Sequence, residues 1–264
     1  MVHLILTGAT GLVGSAVLHH IQTLPAATNP ITKLTILSRS PVPDANKPST
    51  NNTKINVIHH TDYLTYPPDL TSQLSDAKAV IWAQGISQTE VSSDAEYTKI
   101  TKEFPVAAAK AFASASATTT KPFNFVYVSG EGATQTPGLF TALFGRVKGE
   151  AELALLALPK QREYGDGKLS VYCPRPGGII HPDKAVMDAI LAKRTLSMRV
   201  FIRAALPLYS TFAKEMLIQT PELGKVLVDM ALREGGEPFE EGAKGIESGG
   251  RVVRNVAIRR MAGL

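Results

Sequence analysis

Two periodicities take turns along this chain. Short apolar runs rich in branched residues alternate with longer stretches that place apolar side chains at helical spacing. The first run, residues 2–6, is interrupted only by His3 and ends at Thr7, and residues 12–24 then follow the helical period. A buried parallel strand followed by a helix is predicted. Further strand-like runs stand at residues 31–37, 55–58, 79–83, 123–128 and 169–173. Between them, a helix that Asp94 can cap runs through Tyr97 and Ile100, bends or restarts at Pro105 and continues as the alanine-rich 106–117. Another helix is expected over 140–158, while 25–30, the Pro/Asn/Ser/Thr-rich 41–54 and the polar 159–168 read as loops. Strand and helix in alternation predict an α/β fold, a doubly wound parallel sheet of Rossmann type, over residues 1–180.

From about His181 the pattern turns helical, at 185–193, at 198–217 with a break near Pro207, and at 221–233. Residues 235–250 look loop-like, and 252–258 read as a last strand or a short helix. Residues 181–264 are therefore expected to form a small, mostly helical substrate or cap region packed on the first 180 as one structural unit. No internal repeat is visible.

Between the first strand and the first helix stand Gly8, Gly11 and Gly14, three residues apart. In that context a glycine triplet points to a dinucleotide site. Gly8 lets the chain turn out of the strand, Gly11 lets backbone approach a pyrophosphate, and Gly14 lets helix and strand pack closely. The free N–H groups and the positive dipole end of the helix then face the phosphates. At the end of the second strand, an acidic residue would hold the ribose hydroxyls of NAD. This chain has Ser38-Arg39-Ser40 instead, and a forked cation beside small hydroxyl donors suits a 2′-phosphate. NADP is favoured over NAD, the alternative being a surface arginine after a strand. Asp62 and Tyr63 follow the third strand, where an adenine is approached in such folds or where Tyr63 simply packs. Gln84 and Gly85 follow the fourth strand and bring backbone near the cofactor.

Composition changes the picture little. Hydrophobic residues at 44% and charged ones at 19% of 264 residues suit a globular protein with a sizeable core. The single cysteine, Cys173, excludes an intramolecular disulfide and a cysteine-based metal cluster, and in its apolar strand it reads as inert core. The run of structure from residue 2 leaves no space for a presequence, and no apolar stretch of about 20 residues suggests a spanning helix. The expected location is the cytoplasm, with the mitochondrial surface as an alternative. The net charge of +5 is mild, yet Lys193, Arg194, Arg199 and Arg203 form one acid-free group and Arg251, Arg254, Arg259 and Arg260 another. These read as solvated helix faces or as contacts for an anionic surface. No nucleic-acid reading motif accompanies them. Expected partners are a small-molecule substrate and, as a further candidate, a second copy of the chain.

The spelling Thr7-Gly8-Ala9-Thr10-Gly11-Leu12-Val13-Gly14 resembles the Thr-Gly-x-x-Gly-x-x-Gly signature of extended and atypical short-chain dehydrogenases. Later landmarks fall in the same order. Ser129-Gly130-Glu131-Gly132-Ala133 is similar to the segment that carries the catalytic serine, and Arg175-Pro176-Gly177 resembles the run after strand six. Arg39, the segment Val147-Lys148-Gly149-Glu150 and Arg175-Pro176-Gly177 are similar to the small Tat-interacting-protein-like oxidoreductases. The resemblance implies that Lys148 binds the nicotinamide ribose, with Pro176 and Gly177 also at the cofactor. It also implies a tyrosine four residues before that lysine, as proton donor. Phe144 stands there instead. A second Tyr-x-x-x-Lys, from Tyr164 to Lys168, holds two glycines and an aspartate and is a loop. His181, just beyond the sixth strand, is either an acid–base group or a surface histidine. Ser129 can donate a hydrogen bond to a carbonyl, and Tyr97 and Tyr127 are further candidates. Two functions are implied: an NADP(H)-dependent oxidoreductase acting on a small carbonyl or alcohol substrate, or a non-redox NADP(H)-binding regulator, sensor or isomerase.

Overall fold

The computed structural model describes residues 1–116, 121–165, 167–192 and 213–264. Its centre is an eight-stranded sheet of β1 (Val2–Thr7), β2 (Ile31–Ser38), β3 (Lys54–His59), β4 (Ala79–Trp82), β5 (Phe123–Tyr127), β6 (Leu169–Arg175), β9 (Ile246–Glu247) and β10 (Val252–Arg254). The order is β3-β2-β1-β4-β5-β6-β10-β9, and only β9 runs antiparallel to its neighbour. The first six strands thus follow the 3-2-1-4-5-6 order of a Rossmann sheet, which opens a crevice between β1 and β4 at their carboxyl ends. A separate parallel pair joins β7 (Gly178–Ile180) to β8 (Leu217–Gln219).

Each central strand buries both faces, so its residues sort by period two into two apolar layers. Leu4, Leu6, Ala79, Ile81, Val126 and Tyr172 belong to one layer, which also holds Val17, Leu18 and Ile21 of α1 (Leu12–Thr23). Ile5, Val80, Trp82, Phe125, Val171 and Cys173 face the other, against α4 (Phe104–Ala115) and α5 (Leu143–Ala157). The short helices α2 (Pro68–Gln73) and α3 (Asp94–Thr98) complete that second side.

The cap before Tyr97 is Ser93, whose hydroxyl accepts from the Glu96 N–H, whereas Asp94 is the first helical residue. The expected bend at Pro105 takes the form of one π turn, Lys99–Glu103, leading into α4 with the proline in its first turn. The fifth helix starts at Leu143 rather than at 140, leaving Leu139 and Phe140 exposed in the preceding loop.

After residue 181 the pattern departs from a purely helical cap. α6 (Lys184–Ala192) falls where a helix was expected. Of the helix expected over 198–217, residues 198–212 lie outside the described residues, as does the first basic group, and Lys214–Met216 is a single 3₁₀ turn leading into β8. α7 (Thr220–Ala231) packs along α1, and a Cβ on Gly224 would stand 2.7 Å from the Ala16 carbonyl oxygen. Residues 252–258 are both alternatives in succession, β10 alongside β6 and then the start of α8 (Asn255–Met261). Both contribute to the main sheet and its helical layer. Among the described residues, no helix is long and apolar enough to cross a membrane.

Candidate active site

At the carboxyl end of β1 the backbone is fitted too tightly for side chains. Gly8 holds φ +71°, and a Cβ there would lie 2.4 Å from the Ala83 carbonyl oxygen of the neighbouring strand's end. A Cβ on Gly14 would lie 2.1 Å from the Gly8 carbonyl oxygen, so the first turn of α1 rests on the strand's exit. Gly11 caps α1 with no side-chain bond to its first N–H groups and no acid in the first turn. That leaves an N-terminus with open donors and an uncompensated positive end.

Two cavities flank this turn. One, of about 620 Å³, is lined by Gly11, Leu12, Val13, Ser129, Lys148 and Pro176 among others. The other, of about 70 Å³, lies among Gly8, Thr10, Ser38, Arg39, Tyr63 and Gln84. Gln84 lines both. Its amide oxygen and nitrogen are both buried without a hydrogen-bond partner among the described residues, as is the Thr7 hydroxyl at the strand end. Unpaired buried polar atoms are costly and rare.

Around the smaller cavity, Arg39 is exposed and makes no hydrogen bond or ion pair among the described residues. Ser38 does not present its hydroxyl beside it: that group donates to the Ser40 carbonyl at 2.7 Å and accepts from the Ser40 N–H. Tyr63 is core as well as lining. Its hydroxyl donates to the Leu37 carbonyl at 3.2 Å, its ring meets Trp82 edge-on, and burial pushes its pKa up to about 12. Asp62 stands exposed outside both cavities, where its carboxylate accepts the Leu64 N–H and is held below the usual carboxyl range by that bond. Gly85 lines the larger cavity, and a Cβ there would meet nothing.

The far wall of the larger cavity is a polar lattice. Lys148 Nζ donates to the carbonyl oxygens of Ser129 at 2.8 Å and Val128 at 3.4 Å. Burial pulls its pKa down to about 8, against the opposing charge of Glu152. Glu152, one turn further along the same face of α5, is fully buried. It accepts the Ser129 hydroxyl at 2.6 Å, Arg175 Nε at 2.8 Å, Arg175 Nη2 at 2.5 Å and the Gln135 amide at 3.1 Å. Arg175 also donates to Glu247 at 3.0 Å. Ser129 is thus brought beside Lys148, but its hydroxyl is turned away from the cavity and into this cluster.

Pro176 and Gly177 lie at the cavity edge, held by the Glu131 N–H on the Pro176 carbonyl and by the Gly177 N–H on Asn255 Oδ1, each at 2.8 Å. Phe144 has its ring against Gly132 and its N–H on Gln88 Oε1 at 3.1 Å. It does not line the cavity.

The remaining candidates fall elsewhere. His181 does not line either cavity: its Nδ1 accepts the Asp183 N–H at 3.0 Å, closing a local turn. Tyr127 donates to the Thr101 carbonyl at 2.9 Å from inside the core, and Tyr97 is buried on the same side. The second basic group is internally engaged. Arg251, Arg259 and Arg260 each donate to backbone carbonyls, and Arg254 pairs with Glu131. Among the described residues, no group of three His, Cys, Asp or Glu side chains could hold a metal. Sequence reading missed Glu152, Gln135 and Asn255. Only the first carried a signal, an acid four residues after Lys148.

No protein-family model matches the chain. It is 32% identical over 257 residues to leucinostatins biosynthesis cluster protein T of Purpureocillium lilacinum, covering 91% of this chain and 89% of that protein. Botcinic acid biosynthesis cluster B protein 16 of Botryotinia fuckeliana (strain B05.10) is 36% identical over 144 residues, 54% of this chain and 87% of that protein. Among solved structures, 3-oxoacyl-[acyl-carrier protein] reductase from Brucella melitensis, in complex with NAD, superposes with TM-score 0.63 at 13% identity, covering 97% of both chains. The PhqB reductase domain from Penicillium fellutanum gives TM-score 0.59 at 16% identity over 88% of this chain and 64% of that one. MoeE5, in complex with UDP-glucuronic acid and NAD, gives TM-score 0.59 at 15% identity, over 88% and 72%. At these identities the likeness is one of fold, that of the short-chain dehydrogenase/reductase Rossmann proteins.

Proposed function

The chain belongs to the family of leucinostatins biosynthesis cluster protein T, and on that premise we propose that it is an NADP(H)-dependent oxidoreductase of the atypical short-chain dehydrogenase type, acting on a small carbonyl or alcohol substrate. The observation that carries the cofactor reading is the glycine turn, too tightly packed for side chains and leading into an uncapped helix N-terminus, with a cavity on either side of it. The residues present fit a dinucleotide. The open N–H groups at Leu12 and Val13 would take the diphosphate, and the unpaired Arg39 fork the 2′-phosphate. Gln84 would lie between them, and Lys148 would stand beside the nicotinamide end. Asp62 is too far out on its turn to be assigned a role.

A dihydronicotinamide, when bound, would supply the hydride for carbonyl reduction. What this chain contributes is placement and charge: Leu12, Val13 and Ile179 wall the large cavity, while Lys148 sets a cation at its base. A non-redox, NADP(H)-binding function has two observations in its favour: Phe144 offers no phenol, and the Ser129 hydroxyl is held by Glu152. NADPH and NADH titrations followed by nucleotide fluorescence, with NADPH oxidation over a panel of aldehydes, ketones and quinones, separate these outcomes. Binding with turnover supports the reductase, and binding without any turnover supports the second reading. Absence of binding to the folded protein refutes both.

A further inference from the structure

The larger cavity presents few protons to a substrate. Ser129 gives its hydroxyl proton to Glu152. Ser87 and Thr89 share a hydrogen bond at 2.9 Å between their hydroxyls, whose acidity is in any case far too low for proton transfer to a ketone. Glu131 accepts Arg254 Nε at 2.9 Å on one oxygen and the Asn255 N–H at 3.2 Å on the other. Glu90 accepts the Ser87 N–H in its own turn. The Lys148 ammonium has three N–H bonds, and two rest on the carbonyls of Val128 and Ser129. No carboxylate lies within ion-pairing distance of Nζ among the described residues, so its third N–H is left for the cavity that Lys148 lines.

Resting on the reductase reading, we propose that Lys148 Nζ is itself the acid that passes a proton to the substrate's carbonyl oxygen, taking over the work of the absent phenol. In this step, hydride from the dihydronicotinamide forms the new C–H bond and the carbonyl π pair moves onto oxygen. One Lys148 N–H bond breaks as the O–H bond forms. The neutral amine then regains a proton from water entering the open cleft. The backbone carbonyls hold Nζ in place in both protonation states, since either form can donate to them. The charged groups around it are Glu152 on its own helix with Arg175 of β6 behind, Glu131 of the β5–α5 loop paired with Arg254 of β10, and Glu90 from the segment after β4. The Lys102–Glu150 pair joins α5 to the π turn. A half-buried amine at the cavity wall, with its pKa drawn down to about 8 by desolvation, is well matched to proton transfer near neutrality.

The test compares wild type, Lys148→Arg and Lys148→Met, using 4-nitrobenzaldehyde, ethyl acetoacetate and phenanthrenequinone as probes. NADPH affinity is read in parallel, and so is acetic anhydride labelling of Lys148 against pH by mass spectrometry. Wild-type kcat for reduction should be level at lower pH and fall as pH rises through about 8, because the donor must be protonated. Labelling of Lys148 should rise over the same interval. Lys148→Arg keeps the cation but cannot release a proton. It should bind NADPH within about threefold of wild type while kcat drops by roughly 10²–10⁴-fold, the usual range for loss of a general acid. Lys148→Met should lose both. Three results overturn the proposal while leaving cofactor binding intact: Lys148→Arg within about tenfold of wild-type kcat, Lys148 labelling at the ordinary lysine pH, or a wild type that binds NADPH and reduces none of the probes. Failure to bind NADPH overturns the underlying reading as well.

Discussion

The two halves of the cleft are built on opposite principles. Around the glycine turn, backbone is packed so closely that side chains are excluded, and what remains is left unsatisfied: the first N–H groups of α1, the Thr7 hydroxyl, both ends of the Gln84 amide and the Arg39 guanidinium. Around Lys148 nearly every polar atom has a partner. Ser129, Gln135 and Arg175 converge on Glu152, and Arg254 and Asn255 hold Glu131. The first half is where the proposed dinucleotide would lie. The second is a completed lattice in which the Ser129 hydroxyl is bound to Glu152, which is the ground for the proposal that Lys148 supplies the proton.

Breaking the lattice should have the largest effect. Glu152→Ala removes the carboxylate that Arg175, Ser129 and Gln135 share, leaving a buried guanidinium partly unpaired. It should cost about 3–5 kcal/mol of stability, measured by urea denaturation with an unchanged slope. A loss near zero would mean that the cluster is hydrated and its apparent strength illusory. Filling the glycine turn comes next. Gly14→Ala forces a methyl against the Gly8 carbonyl, with an expected cost of about 1–3 kcal/mol and loss of NADPH binding in the protein that remains folded. The smallest effect sharpens the contrast. Gln84→Leu removes an amide that has no internal partner, so the free protein should be unchanged or slightly more stable, while affinity for NADPH and NADH alike falls by about 1 kcal/mol. If stability fell instead, Gln84 would have a structural bond.

The half of the site built from backbone was the legible one. Glycine spacing at residues 8, 11 and 14 encodes close approach directly, and the doubly wound sheet follows from strand–helix alternation because each apolar run has to be buried on both faces. The lattice was not legible, since Glu152, Gln135, Glu247 and Asn255 lie in four separate stretches of chain and meet only once β6, β10 and α5 are side by side. Ser129 illustrates the limit. Its position relative to Lys148 could be read from a nineteen-residue separation, but the direction of its hydroxyl depends on a carboxylate presented by another element. His181 fails for the same reason in reverse: its neighbour Asp183 supplies the N–H that holds its ring in a local turn. The late strand at 252–254 escaped a firm reading because three residues are too few to show a period.

The cleft's central claim, a nicotinamide dinucleotide held with its 2′-phosphate on Arg39, is tested most directly by calorimetric titration of wild type and Arg39→Ala with NADPH and NADH in matched buffers. Wild type should prefer NADPH, and Arg39→Ala should lose about 1.5–3 kcal/mol for NADPH, the worth of hydrogen bonds to a charged group, while NADH affinity stays nearly constant. Equal losses for the two cofactors, or a folded wild type that binds neither, would contradict it.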